Sequence, residues 1–95
     1  MAHYKLSNLA KEDLIRIHHY GVENFGETQA DMYFESFFEY FELIANRPFS
    51  FESVDDIKPG YRRCVCGVDS IYFRINDEIV EIMAIIGRQD FNSII

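Results

Sequence analysis

Four arginines in the second half of the chain, Arg62, Arg63, Arg74 and Arg88, carry the residue type best suited to gripping another molecule. A guanidinium is permanently charged, and its planar fork meets a carboxylate or phosphate through two parallel hydrogen bonds. Arg62 and Arg63, with Lys58, form the only local basic cluster, and neighbouring strands would bring Arg74 or Arg88 beside them. Such a patch suits an acidic segment of a partner protein; it equally suits a solvated face paired with nearby acids. The other reactive types lead elsewhere. His18 and His19 are adjacent on a helical stretch, so they diverge by about 100° and cannot share a metal. His18 follows Ile17 on the apolar side and reads as a packed or edge residue, while His3 lies near the chain end. Cys64 and Cys66 stand on one face of an extended run, with Cα atoms about 6.5–7 Å apart, at or past the reach of a disulfide. No CxxC or HxxxH pair completes a zinc set, so both read as small core residues. No Gly-rich phosphate loop, Ser-His-Asp order or paired-carboxylate motif stands out, and no catalytic residue, metal or cofactor is expected.

Charge narrows the partners. Nine Lys and Arg against sixteen Asp and Glu give a net −7, which opposes broad binding to a phosphate backbone. Residues 1–45 hold three basic and eight acidic side chains, and residues 46–95 hold six and eight. Any polyanion site is therefore small and lies in the second half; direct nucleic-acid binding is not expected. No run approaches the ~20 apolar residues that span a bilayer. The start lacks the basic-then-apolar pattern of a signal peptide, and two cysteines without one suit a reducing cytosol. The expectation is a cytoplasmic protein with no membrane partner.

These side chains must be positioned by one domain, since 95 residues leave no room for a second. Apolar residues make up 48% and aromatics 16%, which excludes a disordered chain. A domain of this size buries only about 60–65% of its unfolded surface, so nine Phe and six Tyr must carry much of the core. Residues 2–7 alternate loosely and read as a short strand. Ser7 or Asn8 then caps a helix whose apolar face is Ala10, Leu14, Ile17, Gly21 and Phe25, ending near Gly26. A second helix over 27–46 carries a wide stripe including Ala30, Tyr33, Phe34, Phe37, Phe41 and Ile44, and Pro48 stops it. The tight connection at Gly26 predicts an antiparallel helical hairpin. Residues 48–60 read as a loop. Strands at 61–66, 70–75 and 79–86 follow, with hairpin loops at Gly67-Val68-Asp69 and Asn76-Asp77-Glu78. The last strand is almost wholly apolar apart from Glu81 and should be central and covered on both faces. The fold class is α+β, in the order β-α-α-β-β-β, with an antiparallel sheet packed against an N-terminal helical hairpin. The final five residues read as a loose tail.

That order, with four motifs, resembles the ParE branch of the RelE/ParE toxin superfamily. "YKLSNLAKEDLIRIHHYGVENFGETQADMYFESF", "IKPGYRRCVCG", "IYFRI" and "IMAIIGRQD" resemble the family's opening, loop-to-strand, strand and closing segments, and together span residues 4–90. The resemblance implies a single toxin domain over residues 1–95 of a type II toxin–antitoxin pair, bound as a hetero-oligomer by a ParD-like antitoxin. It implies inhibition of DNA gyrase by binding. The sister RelE branch cleaves messenger RNA on the ribosome, and a shared fold does not choose between the two.

Ribonucleolysis of the RelE kind needs basic groups to activate the 2′-hydroxyl and to neutralise charge at phosphorus. Where the RelE branch opens a strand with Arg, this chain has Ser70; where it has a second Arg, this chain has Gln89 beside Arg88. The branch's catalytic Tyr or His falls further on, where these residues read FNSII. Its Lys-rich loop corresponds roughly to residues 50–58, which carry Glu52, Asp55 and Asp56 against Lys58. A non-enzymatic toxin is therefore expected. The alternatives are a ribosome-dependent endonuclease, and a degenerate toxin that serves only as a partner in an operon-repressing complex. Two groups are candidate partner surfaces: Arg62, Arg63, Arg74 and Arg88, and the aromatic excess of the second helix, where Phe38 and Leu43 point away from the core stripe. A groove there would take an apolar helix; the plainer reading is a broad core under a thin sheet.

Overall fold

The computed structural model describes residues 3–87. Along the chain come β1 (His3–Leu6), α1 (Asn8–Phe25), α2 (Glu27–Asn46), a 3-10 turn (Pro48–Ser50), β2 (Glu52–Ser53), β3 (Arg62–Cys66), β4 (Asp69–Asn76) and β5 (Ile79–Gly87). The five strands form one sheet in the order β1-β5-β4-β3-β2, and the helical hairpin covers one face. Neither helix is long and apolar enough to cross a membrane.

Local chemistry sets most of these elements. The Ser7 hydroxyl accepts the Ala10 N–H at 3.0 Å and caps α1. Gly26, at φ +90°, joins the helices alone, a conformation that side chains other than hydrogen rarely adopt. Near this tip the helices approach closely: a Cβ on Gly21 would lie 3.1 Å from that of Ala30. Phe37, Phe41 and Ile44 are fully buried against Ile71, Phe73, Ile82 and Ile85, each large side chain contributing about 1.5–3 kcal/mol. Phe25, expected on the buried stripe, is instead 67% exposed.

The sheet differs from expectation in three ways. It is mixed rather than antiparallel, because β1 runs parallel to β5, with His3 to Leu6 opposite Ile79 to Ile82. Turn signals specify only strands joined by short loops; a first and a last strand are joined by a long crossover, which permits parallel pairing. Residues 48–60 contain the 3-10 turn and β2, which pairs antiparallel with Arg62 and Arg63. The stretch beyond β2 then folds over the outer face, where Val54 packs with Tyr72, Ala84 and Ile86 beneath Ile57 and Tyr61. Finally, β5 carries a bulge: Tyr72 pairs Ala84 but Phe73 pairs Ile82, leaving Met83 extra. The bulge puts Val80, Ile82 and Ile85 on the helix side and Ala84 and Ile86 on the other. β5 is covered on both faces as expected, although β4 holds the middle position.

β5 is also longer than its neighbour. β1 pairs only to Ile82, so the rest of that edge needs other partners. α1 supplies them. Ser7 donates its hydroxyl to the Met83 carbonyl at 2.9 Å, buried Asp13 accepts the Ile85 N–H at 2.9 Å, and Arg16 donates to the Ile85 carbonyl at 3.2 Å. Ser7→Ala should cost about 1–2 kcal/mol, since it removes a helix cap and a bulge partner together. A lowered urea midpoint with an unchanged slope would register it; a midpoint equal to the parent's would contradict the dual role.

Candidate functional site

Pinning α1 to β5 leaves the tip of the helical hairpin standing over the β3–β4 turn, and a groove of about 590 Å³ opens between them. Its helical wall is Ile17, Gly21 and Ala30, where the absence of larger side chains leaves space. Tyr20 and Phe25 form an aromatic rim, and Val68, 80% exposed, stands opposite on the turn. Arg16 and Asp69 bring the charges that line it. An apolar concavity with a few fixed polar groups is the usual form of a recognition site.

The wall carrying Val68 is a two-residue turn between Cys66 and Asp69, with Gly67 at φ +61°. Tyr33 of α2 reaches it. Its phenol lies 2.8 Å from the Cys66 carbonyl and 2.7 Å from Asp69 Oδ2, to which it donates. Burial and the Asp69 carboxylate push this phenol well above its ordinary pKa, so it stays protonated.

The sequence-derived candidates are not brought to one place. Arg62 and Arg63 are successive on β3 and face opposite sides of the sheet. Arg62 donates to the Phe51 carbonyl at 2.7 Å and lies over the Phe49 ring, 5.0 Å from its centroid. Arg63, on the outer face, pairs with Glu52, its Nε 2.6 Å from Oε1, and borders a smaller depression of about 240 Å³ behind Val68. Arg74 shares that outer face and binds Glu81 at 2.6 Å, while Lys5 approaches the other carboxylate oxygen at 3.4 Å. Lys5, Glu81 and Arg74 sit directly opposite one another across three strands, which explains the single charge in the apolar β5 run. Arg88 lies outside the described residues. Phe38 is half-buried, its ring 5.3 Å from Phe34 and 5.5 Å from Phe41. Leu43 is 47% exposed, towards the end of α2 remote from the groove. The two therefore do not form one patch.

The remaining reactive groups are engaged within the fold. His18 packs edge-on against Phe34 and its Nε2 lies 2.7 Å from Asp31, clasping the two helices. Cys64 and Cys66 are free, buried thiols on the helix side. Burial, with the neighbouring Cys66, pushes the Cys64 thiol up to about 11; burial likewise raises Cys66. No group of three His, Cys, Asp or Glu side chains able to hold a metal occurs among the described residues.

Residues 4–90 match the family described as the ParE toxin of the type II toxin–antitoxin system parDE. The chain belongs to the ParE toxin family. Toxin ParE1 of Caulobacter vibrioides is 33% identical over 93 residues, covering 98% of this chain and 95% of that one. In structure the chain resembles the chromosomal ParDE toxin–antitoxin system of P. aeruginosa, with a TM-score of 0.81 at 20% identity, over 92% of this chain and 96% of the other. The ParE fold is thus an α+β one, two helices followed by a meander whose sheet the N-terminal strand joins. Sequence reasoning missed the groove residues of this ParE chain. The signal available was Tyr20 and Val68, large apolar residues outside any periodic stripe, but only the docked hairpin places them face to face.

The Lys5–Glu81–Arg74 row gives a pH dependence with a definite sign. The hydrogen bond from Arg74, followed by that from Lys5, holds the Glu81 carboxyl below its ordinary value of 4.5. A folded-state pKa that is depressed contributes stability above the unfolded value, and that contribution is lost as pH falls through the folded one. Glu81→Gln should therefore flatten the decline in melting temperature below about pH 4.5; a decline as steep as the parent's would show that the row is not coupled to folding.

Proposed function

We propose that this toxin acts by binding, not by catalysis, with DNA gyrase as its target. We further propose that a ParD-type antitoxin silences it by laying an apolar segment into the groove between the helical hairpin and the β3–β4 turn. The groove carries the reading. Soluble domains seldom leave large aromatics such as Tyr20 and Phe25 beside an open apolar cavity unless something covers them. The chemistry of the occupant follows from the lining. Asp69 is buried and engaged by Tyr33; Arg16, which lies 3.4 Å from Asp13 but is about half exposed, presents the cation to an incoming segment. A segment with an apolar face and a carboxylate would match it.

Support for binding rather than catalysis comes from the state of the ionisable side chains. Arg63 and Arg74 are committed to Glu52 and Glu81, and both thiols are held in their unreactive protonated form by burial. RelE-type chemistry wants free cations around a phosphate, and pairing within the sheet competes with that use. Gyrase as the target rests on family membership.

Purified toxin titrated into a gyrase supercoiling reaction is the direct test. Supercoiling should fall at micromolar toxin and recover on addition of a ParD-type antitoxin. Undiminished supercoiling would remove gyrase, and toxin-dependent cuts in messenger RNA mapped by primer extension would replace binding with ribonuclease action.

A further inference from the structure

The wall of the groove is a hairpin turn, and hairpin turns are ordinarily among the less stable parts of a sheet. The chain has two for comparison. The β4–β5 turn, Asp77 and Glu78, has both residues at positive φ (50° and 68°), as a tight two-residue loop requires. Among the described residues, no helix side chain hydrogen-bonds to that turn. The β3–β4 turn is different. Tyr33 contacts it at the Cys66 carbonyl and at Asp69 Oδ2. One hydroxyl therefore touches both ends of the turn, Cys66 and Asp69. The ring lies so close over Gly67 that a Cβ there would be 2.8 Å from it. Tyr33 is also anchored at its other edge, 5.0 Å from buried Phe37.

We propose that Tyr33 is a positioning residue: its hydroxyl ties the Gly67-Val68 turn to α2, and so fixes the groove wall before a partner arrives. The proposal rests on the groove being a docking surface and names the group that sets its width. A fixed wall spares the occupant the cost of ordering the turn, and pre-organisation of that kind appears as affinity. It also accounts for a phenol at a position where Phe would serve packing alone.

Tyr33→Phe keeps the ring and deletes the hydroxyl. Two readouts on the intact chain separate positioning from general stability. In native-state hydrogen exchange, the amides of residues 67–69 should exchange at least about 10-fold faster, with the amides of Asp77 and Glu78 unchanged as an internal reference. Anilinonaphthalene sulfonate, an apolar anion suited to the groove and to Arg16, should bind at least about 5-fold more weakly. Unchanged exchange at 67–69, or an equal rise in both turns, would overturn the proposal. Faster exchange without a loss of dye affinity would overturn it too, since the wall would then not set the groove. If Tyr33→Phe does not fold, Asp69→Asn weakens one of the two contacts and should give a smaller change in the same direction. Neither readout uses the antitoxin. Failure of the docking reading would show separately, as an antitoxin that binds without displacing the dye.

Discussion

Along the edge of β5 that faces β1, half has a strand beside it and half does not, and the side chains of Ser7 and α1 make up the difference. A buried backbone group without a partner costs as much as a lost hydrogen bond, so Met83 and Ile85 must be answered from somewhere. Ser7, Asp13 and Arg16 answer them at spacings of six and three residues, on one side of one helix. That requirement fixes the height and rotation of α1 on the sheet. Once α1 is fixed, Gly21 and Ala30 set how closely α2 approaches. The tip of the hairpin then has a single place to be, above the β3–β4 turn. The groove is a consequence of these contacts rather than a separate feature.

The same logic explains why the charged residues do not gather into a site. In a strand, successive side chains alternate faces, so the basic pair on β3 is divided between the 3-10 turn and the outer face. Register then places an acid opposite each outer arginine: Glu52 opposite Arg63, Glu81 opposite Arg74. The Arg63–Glu52 pair is largely exposed and contributes little to stability, whereas Glu81 is buried beneath Arg74; both pairs occupy the guanidinium groups. The acidic excess sits largely on the helices, away from these pairs. On the proposed reading, recognition rests on shape and apolar surface, with Arg16 the cation lining the groove.

The helices were legible because each boundary has a local chemical cause: the Ser7 hydroxyl, Gly26 at positive φ, and Pro48 after Asn46. The hairpins were legible for the same reason, at Gly67 and at Asp77-Glu78. What stayed hidden depends on contacts distant in sequence. Parallel pairing of β1 with β5 joins residues 76 positions apart. The Met83 bulge is invisible in IVEIMAII, where apolar residues on both faces erase the alternation that would reveal a skipped position. Phe25 fits the helical stripe by spacing and yet is exposed, at the end of α1 where it lines the groove. The groove stayed hidden for a related reason: composition points to arginines, whereas the groove is built from small residues and one turn.

The groove at the hairpin tip is the proposed seat of a partner. Calorimetric titration of a ParD-type antitoxin against Val68→Asp tests it most directly, because Val68 is exposed and a charge there costs folding little. Leu43→Asp, at the other end of α2, serves as the comparison. Affinity should weaken about 100-fold or more on the change at Val68, about 2.7 kcal/mol, with the Leu43 variant binding like the parent. Full affinity in Val68→Asp, or its loss in Leu43→Asp alone, would contradict the account and move the interface elsewhere.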